Sequence, residues 1–281
     1  MVFPRPRSGA AALITGASSG IGEEAARQLA ALGHNVVLVS RREERLLTLA
    51  GQLQQRHGVR AVVVACDLAD AAARHALTIE VREHRLDIDI LVNSAGYASG
   101  GPFARVSPDS HKELIRTNFE AMVELTGHFI GPMLVRRSGA VLNVSSFTGF
   151  APMPGIATYS ATKAAGRMFS EALHAEVESR GVTVTALCPG PVRTEFIEVA
   201  KLHGLVDNLP PFMWTSVEDC VRTGLNDLER GKRVSIPNRA VRLFTFAVSH
   251  LPHATTLAVL TRRRKARSGS RTENPSTGSA A

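Results

Sequence analysis

The sequence predicts an α/β fold in a single domain, a doubly wound parallel sheet of about seven strands with helices on both faces. Seven short apolar or β-branched runs alternate with longer segments of helical periodicity. The runs are continuously apolar, which indicates strands buried on both faces and hence a parallel sheet between two helical layers. Ligands of such sheets bind at the carboxyl ends of the strands, so the residues after each run are the candidates for chemistry.

The predicted elements follow in order, with short connections between strands and helices. The strands are 10–15, 35–40, 61–66, 88–93, 140–145, 182–187 and 233–236. The helices are 22–32, 42–57, 71–85, 109–136, 159–180 and 216–230. In the fifth helix one apolar stripe recurs at helical spacing, formed by Ala165, Met168, Phe169, Leu173 and Val177.

Positive charge is concentrated at the C-terminal end. The formal net charge is +8, and residues 239–281 hold eight basic residues and one acid, a balance of +7 that leaves about +1 for residues 1–238. A nearly neutral domain does not favour nucleic-acid binding, and any electrostatic partner would meet the tail.

The sequence divides into four predicted segments: an N-terminal extension (1–9), a dinucleotide-binding catalytic domain (10–238), an apolar and basic extension (239–267) and a disordered tail (268–281).

The cysteines and the N-terminus predict a cytoplasmic location, with peripheral membrane contact left open. Cys66, Cys188 and Cys220 are odd in number and far apart, so neither a disulfide framework nor a metal site is predicted. The segment MVFPRPRS lacks the apolar core of a secretory signal.

The C-terminal extension has two interpretations. Residues 240–260 are apolar-rich, but Arg242, His250, Pro252 and His253 interrupt them, so a membrane-spanning helix is not predicted. One interpretation is an interfacial helix whose basic flank at 262–265 meets anionic lipid. The other is a helix that packs on the same or another subunit.

The first strand runs into a glycine-rich turn, Thr15 to Gly22, with the sequence TGASSGIG. Glycines let the backbone turn tightly and approach a pyrophosphate, and the following helix N-terminus supplies unpaired N–H groups. The spacing Gly-x3-Gly-x-Gly differs from the usual dinucleotide fingerprint, and an ordinary strand-to-helix turn is the alternative.

The second strand ends in Ser40, Arg41 and Arg42, with no acid at the strand end. A carboxylate there would bind the ribose hydroxyls of NAD, whereas arginine suits the 2′-phosphate of NADP. The pattern therefore favours NADP(H), with NAD(H) remaining open, and Arg41 is the stronger candidate. The alternative is two solvated arginines paired with Glu43 and Glu44.

The third and fourth strands end in Asp67 and in Asn93-Ser94-Ala95-Gly96. Asp67 suits a cap of the following turn or a hydrogen bond to an adenine amino group. The small residues would let a cofactor lie across the sheet edge. Asn93 suits a tie between neighbouring strands.

The clearest chemical signal is Tyr159 followed by Lys163, four residues apart and so on one helix face. A phenol has a pKa near 10, and a neighbouring ammonium is expected to lower that pKa toward the range of efficient acid/base catalysis. Ser145 and Ser146 end the fifth strand, from which Ser146 can reach a substrate oxygen beside Tyr159.

Together these pieces resemble the short-chain dehydrogenase/reductase family, whose sheet is of the Rossmann type. The matching pieces are TGASSGIG at 15–22, CDL at 66–68, NSAG at 93–96, Asn118, NVSS at 143–146, YSATK at 159–163 and CPGPVRT at 188–194. They appear in the family's order between about residues 10 and 237. The overall pattern is similar to the ketoacyl-reductase subgroup.

The resemblance implies a catalytic tetrad of Asn118, Ser146, Tyr159 and Lys163. Tyr159 protonates the carbonyl oxygen as the cofactor delivers hydride to carbon, and Ser146 holds that oxygen. Lys163 binds the nicotinamide ribose and lowers the pKa of the tyrosine, and Asn118 positions a water in a proton relay. Ser145 is then structural.

The same resemblance implies a set of cofactor contacts spread along the sheet edge. They are Gly16, Ser18, Ser19, Gly20, Ile21, Gly22, Ser40, Arg41, Arg42, Asp67, Leu68, Asn93, Ala95, Gly96, Tyr159, Lys163, Pro189, Gly190, Val192 and Thr194. Ser94 replaces the usual second asparagine of its motif. Ser19 stands where many NADP-preferring members carry a basic residue, so phosphate selection rests on Arg41 and Arg42.

The segment 195–215 is expected to cover the substrate, and the residue types in it suit a hydrophobic one. Its apolar residues are Phe196, Leu202, Leu205, Leu209, Phe212, Met213 and Trp214. They indicate either a lid packed on its own core or a pocket for a lipid-like ketone such as a 3-oxoacyl substrate.

The predicted protein is therefore an NADP(H)-dependent carbonyl reductase. The resemblance suggests a homodimer or homotetramer paired through helices 109–136 and 159–180. The alternative function is an NADP-binding regulatory or scaffold protein with little catalysis.

Overall fold

A computed structural model of the chain describes residues 3–199, 209–252 and 257–258. Its seven strands pair in parallel in the order β3-β2-β1-β4-β5-β6-β7. They are β1 (Ala10–Thr15), β2 (Asn35–Ser40), β3 (Ala61–Ala65), β4 (Asp87–Asn93), β5 (Gly139–Val144), β6 (Val182–Leu187) and β7 (Val234–Ser235). The doubly wound parallel sheet predicted from the sequence is confirmed. Because the strand order reverses between β1 and β4, a crevice is expected at their carboxyl ends.

Helices cover both faces of the sheet. They are α1 (Gly20–Ala31), α2 (Glu43–His57), α3 (Ala71–Glu83), α4 (Pro108–Ile115), α5 (Ala121–Arg136), α6 (Ala157–Val177), α7 (Glu195–Val199), α8 (Val217–Glu229) and α9 (Arg239–His250). Successive residues of β1 point to opposite faces. Ile14 therefore joins the core formed with α1, α2 and α8, whereas Leu13 joins the core formed with α3, α5 and α6.

The helix predicted over 109–136 is present, but one turn of it is π-helical rather than α-helical. Helices α4 and α5 are separated by a π-helical turn, Arg116–Glu120. This wider turn accommodates an extra residue and carries Asn118 into the interior, where it is 1% exposed. Helix α4 also begins one residue earlier than predicted, because the Ser107 hydroxyl accepts a hydrogen bond from the Ser110 amide at 3.2 Å. Periodicity detects neither feature.

The apolar stripe predicted on the fifth helix is not the buried face of α6. Met168 is 60% exposed, whereas Lys163, Gly166 and Ser170 face the protein interior. Gly166 packs against Met122 of α5, where an added Cβ would lie 3.3 Å from its sulfur. The small residues allow α6 to approach its neighbours closely. Within the stripe only Val177 is fully buried, Leu173 packs partly buried against the core, and Met168 is exposed.

Helix α9 packs beside the carboxyl edge of the sheet. Asn238 caps it by accepting hydrogen bonds from the amides of Ala240 and Val241 at 2.8 and 3.1 Å. A Cβ added at Gly190 would lie 2.5 Å from Val241 Cγ2, so helix and loop are in close contact. No described helix is both long enough and apolar enough to cross a bilayer. The predictions for residues 262–265 and 268–281 lie outside the described residues.

Candidate active site

A cleft lies at the carboxyl edge of the sheet, where the strand order reverses. Every strand from β1 to β6 contributes to it through its final residue or the segment that follows. The lining residues include Gly16, Ser18, Ser19, Gly20, Ile21, Ser40, Arg41, Arg42, Asp67, Leu68, Ala95, Gly96, Ser146, Tyr159, Lys163, Pro189, Gly190, Val192 and Thr194. The structure thus brings most of the predicted cofactor contacts together in one place.

The glycine-rich turn lines one end of the cleft and has no side chain at Gly16. Gly16 has a φ of +67°, and a Cβ there would lie 2.9 Å from the Cα of Ala95. A side chain is therefore excluded at Gly16, which leaves the backbone there and the N-terminus of α1 accessible to an anion. These features fit the pyrophosphate of a dinucleotide.

Gly22 is not at the cleft, contrary to the prediction that it contacts the cofactor. A Cβ on Gly22 would lie only 2.4 Å from the carbonyl oxygen of Gly16. The absence of a side chain therefore allows α1 to pack against the preceding turn. Its effect on a ligand is indirect.

The end of β2 forms a cationic corner of the cleft. The Arg42 guanidinium donates hydrogen bonds to the hydroxyls of Ser18 at 3.0 Å and Ser19 at 2.6 Å. The pairing of the arginines with Glu43 and Glu44, considered as the alternative, is not what the structure shows. The acid partner is Glu195 of α7, whose Oε2 lies 3.0 Å from Arg42 Nη1.

Glu195 joins α7 to this corner through two arginines. Arg45, one helical turn after Arg42, donates to Glu195 Oε1 at 2.8 Å. Hydrogen bonds from Arg45 and Arg42 hold the pKa of the Glu195 carboxyl below its usual range. Neither Arg45 nor Glu195 was predicted as a site residue, because their contact spans 150 positions of the chain.

Asp67 and Asn93 have different roles. Asp67 lines the cleft, and its Oδ1 accepts a hydrogen bond from the Ala69 amide at 3.0 Å, which is the predicted cap of the turn. Asn93 is 3% exposed and donates to Asn143 Oδ1 at 2.8 Å, so that it ties β4 to β5. Its side chain lies within the sheet rather than at the edge, so a cofactor contact of Asn93 would have to use its main chain.

Three polar side chains converge in the middle of the cleft. Tyr159 lies in the first turn of α6, and Lys163 follows one turn later. The Lys163 Nζ lies 5.7 Å from the centroid of the Tyr159 ring and donates to the Val144 carbonyl at 2.8 Å. Ser146, which follows β5, lines the cleft beside Tyr159 and is close enough to lower the pKa of its phenol. All three residues are less than 9% exposed.

The two adjacent serines have separate functions in the fold. The Ser145 hydroxyl donates to the Lys163 carbonyl at 2.6 Å and so joins β5 to α6. The Ser146 hydroxyl accepts a hydrogen bond from the Thr148 amide at 3.2 Å and remains on the cleft side. Ser146 is therefore the serine positioned next to the phenol.

The predicted lowering of the phenol pKa by Lys163 is not observed. Burial raises the pKa of Tyr159 to about 12, and the nearby Ser146 side chain only partly opposes this. Burial also lowers the pKa of Lys163 to about 8. At pH 7 the tyrosine therefore holds its proton and Lys163 is mostly charged.

The side chain of Asn118 points to the Tyr97 backbone rather than into the cleft. Its Oδ1 accepts a hydrogen bond from the Tyr97 amide at 3.0 Å, and its Nδ2 donates to the Tyr97 carbonyl at 2.8 Å. A Cβ on Gly96 would lie 3.1 Å from Asn118 Oδ1 and 3.3 Å from Lys163 Nζ. Asn118 thus fixes the loop next to Lys163, and the expected water relay would have to use main-chain groups.

One end of the cleft is apolar. Tyr159 belongs to a small hydrophobic cluster with Ile156, against which Tyr97 and Phe196 pack. The ring centroids of Tyr159 and Phe196 are 5.8 Å apart. Phe147 also lines this end. Tyr97, Phe147 and Ile156 were not predicted as site residues, because the short turns that hold them show no periodic pattern.

In the described parts of the segment predicted to cover the substrate, Glu195, Phe196 and Ile197 line the cleft, whereas residues 209–215 do not. Phe212 is 68% exposed, and Trp214 stacks on Arg193, with 4.9 Å between the guanidinium carbon and the ring centroid. Leu202 and Leu205 lie outside the described residues. Within the described part of the chain, no group of His, Cys, Asp and Glu side chains suits a metal ion.

A model of the short-chain dehydrogenase family matches residues 10–202. A very-long-chain 3-oxoacyl-CoA reductase of Phaeosphaeria nodorum is 34% identical over 217 residues, which cover 76% of this chain and 64% of that protein. The chain therefore matches less than two thirds of that relative's length.

Solved structures share the fold over nearly the whole chain. A short-chain dehydrogenase from Sphingobium yanoikuyae in complex with NADPH has a TM-score of 0.76 and 32% identity, covering 96% of this chain and 98% of that one. A bulky-bulky ketone specific alcohol dehydrogenase from Comamonas testosteroni has a TM-score of 0.73 and 28% identity, covering 98% of each chain.

Proposed function

This chain belongs to the short-chain dehydrogenase family, and on that basis we propose that it is an NAD(P)-dependent oxidoreductase that reduces a hydrophobic ketone with NADPH. The observation that carries the proposal is the buried trio of Tyr159, Ser146 and Lys163 at the apolar end of a cleft that begins at the glycine-rich turn.

In the proposed reaction, the glycine-rich turn and Arg41 would hold a nicotinamide cofactor, which when bound would supply a hydride for the carbonyl carbon. Tyr159 donates its hydroxyl proton to the carbonyl oxygen, which Ser146 holds by a second hydrogen bond. The Lys163 ammonium stabilises the negative charge left on the tyrosine oxygen. Asn118 acts as a positioning residue, because it fixes the Gly96–Tyr97 loop that packs next to Lys163.

The proposed substrate is a bulky or long-chain ketone. Tyr97, Phe147, Ile156 and Phe196 give the substrate end of the cleft an apolar surface, which favours an apolar ligand. A 3-oxoacyl thioester has this character, and so does a ring ketone. The names of the 3-oxoacyl-CoA reductase and the bulky-ketone dehydrogenase described above are consistent with this class.

The proposed cofactor preference depends on the arginines after β2. We expect Arg41→Ala to raise the KM for NADPH about tenfold or more and the KM for NADH much less, because a charge-assisted contact to the 2′-phosphate is lost. Steady-state kinetics with both cofactors measures this. Arg56→Ala, at the far end of α2, is the matched control. Equal changes for both cofactors would exclude the 2′-phosphate role.

The pKa values of Tyr159 and Lys163 predict different pH profiles for ketone reduction and for alcohol oxidation. Reduction requires protonated Tyr159 and charged Lys163, so we expect kcat/KM for reduction to fall above about pH 8, where Lys163 loses its charge. Oxidation requires deprotonated Tyr159, whose pKa burial raises, so its rate should still increase in alkaline solution. Profiles of both directions on one ketone–alcohol pair test this, and coincident optima would contradict it.

The proposed assembly is a homodimer or homotetramer paired through α5 and α6. Val123 and Val135 of α5 and Met168 of α6 are exposed apolar side chains, with Val135 at 83%. Unpaired apolar residues on two long helices fit an interface with another copy. Sedimentation of the purified chain measures this.

A further inference from the structure

We propose that helix α9 docks the protein on an anionic phospholipid bilayer, so that a hydrophobic ketone enters the cleft from the membrane. The inference rests on the proposed function and extends it to the source of the substrate. It starts from four exposed apolar side chains on or next to α9, which we call the α9 ridge: Phe212, Leu243, Phe246 and Leu251. Their exposed fractions are 68, 70, 62 and 48%.

Leu243 and Phe246 of the α9 ridge lie on the outer side of helix α9, and the inner side of the helix packs against the protein. Val241 and Thr245 are buried, whereas Leu243 and Phe246, three residues apart, lie together on the outward face. The Asn238 side chain donates to the Phe212 carbonyl at 2.9 Å, which joins Phe212 to the start of the helix. An amphipathic helix of this kind suits the boundary between headgroups and acyl chains.

The inner side of α9 lies directly against the wall of the cleft. Val241 contacts Gly190, and the rings of Phe244 and Phe147 are 6.3 Å apart between centroids. Gly190 and Phe147 both line the cleft, and Phe147 directly follows Ser146. A surface that the ridge touches would therefore be close to the mouth through which a ketone reaches Tyr159.

Charge identifies the occupant of the ridge. Helix α9 contains Arg239 and Arg242 and no acidic residue, and residues 239–281 together have a formal balance of +7. An anionic lipid surface attracts such a segment. A second copy of the chain placed on the same face would bring two α9 helices together, each with Arg239 and Arg242 and no acid, and their like charge opposes that arrangement. A bilayer rather than a second copy is thus the partner that the charges favour.

The test is flotation of the full chain with vesicles. We expect binding to phosphatidylcholine vesicles that contain phosphatidylserine, weaker binding to phosphatidylcholine alone, and release in high salt. The double substitution Leu243→Asp and Phe246→Asp should lower the bound fraction about tenfold. The matched control changes two exposed leucines away from α9, Leu32→Asp and Leu47→Asp, and should bind as the wild type does.

A second variant removes charge without changing the ridge. Replacing Arg262, Arg263, Arg264 and Lys265 by glutamine should abolish the preference for anionic vesicles. Binding that neither variant changes would overturn the proposal. The proposal would also be overturned if the wild type did not bind vesicles but formed a dimer, and if the Leu243→Asp and Phe246→Asp variant were a monomer.

Reduction of a small water-soluble ketone separates this proposal from the proposed function. Wild type and both variants should reduce it at equal rates, whereas a long-chain ketone dissolved in anionic vesicles should be reduced about tenfold more slowly by the variants. Vesicle binding without any ketone reduction would reject the reductase alone. Equal rates on the vesicle-borne ketone would reject substrate entry from the membrane.

Discussion

Tyr159→Phe is expected to lower kcat for ketone reduction by about 10²- to 10⁴-fold, the range that general acid catalysis supplies. The substitution removes only the phenolic oxygen, so the ring still packs on Phe196. Fluorescence titration should show that NADPH affinity is nearly unchanged. The loss is therefore expected in the chemical step, and kcat together with the affinity for NADPH measures it.

The chain provides a matched control in its other tyrosine. Tyr97 lines the same cleft, and burial also raises its pKa to about 12. Tyr97 lies in the loop after β4 rather than on the helix that carries Lys163, and phenylalanine keeps its ring, so Tyr97→Phe should retain activity within about threefold of wild type. Equal losses in both variants would indicate a packing effect. Unchanged NADPH consumption by Tyr159→Phe would instead favour the regulatory or scaffold protein considered as the alternative.

Lys163→Met is expected to lower kcat by about 10²- to 10³-fold, the loss typical of removing one group that stabilises transition-state charge. Methionine retains the bulk of the side chain but cannot stabilise negative charge on the tyrosine oxygen. The fall of the reduction profile above about pH 8, which the wild type owes to loss of the Lys163 charge, should consequently disappear in this variant. An exposed lysine, changed as Lys112→Met, serves as the control.

Stability distinguishes a chemical role of Lys163 from a structural one. The ammonium donates to Val144 at 2.8 Å, but its burial is unfavourable, as the pKa of about 8 indicates. These effects oppose each other, so the free energy of unfolding should change by less than about 2 kcal/mol. A large loss of stability that accounts for the loss of activity would contradict the assigned role.

The sign of the pH effect follows from the same pKa. Because the folded-state pKa of Lys163 lies below its ordinary value of 10.5, the unfolded state binds more protons between about pH 8 and 10.5. The wild type should therefore gain stability relative to Lys163→Met across that window. Denaturant titrations of both proteins at several pH values measure the difference.

The sequence was sufficient to predict the sheet and most of the cleft, because both depend on local patterns. Continuous apolar runs locate the parallel strands, and the residues after them must meet at one edge. Ser40, Arg41 and Ser146 were found in this way, and they line the cleft. Tyr159 and Lys163 share a helix face at a spacing that sequence alone reveals.

Contacts between distant segments could not be predicted in the same way. The bond from Arg45 to Glu195 and the fixed position of Asn118 against Tyr97 depend on how loops meet above the sheet. Burial also decided the pKa of Tyr159, whereas sequence reasoning considered only the neighbouring charge. Helical spacing shows that two groups are close but does not show how much solvent each retains.

The most direct test of the central claim follows the transferred hydrogen. The enzyme is mixed with NADPH that carries deuterium at the transferable position of the nicotinamide, together with a hydrophobic ketone, and the alcohol is analysed by mass spectrometry. We expect one deuterium on the carbinol carbon for each NADPH oxidised, and almost no alcohol from Tyr159→Phe. Alcohol that lacks deuterium, or equal yields from both proteins, would contradict the account.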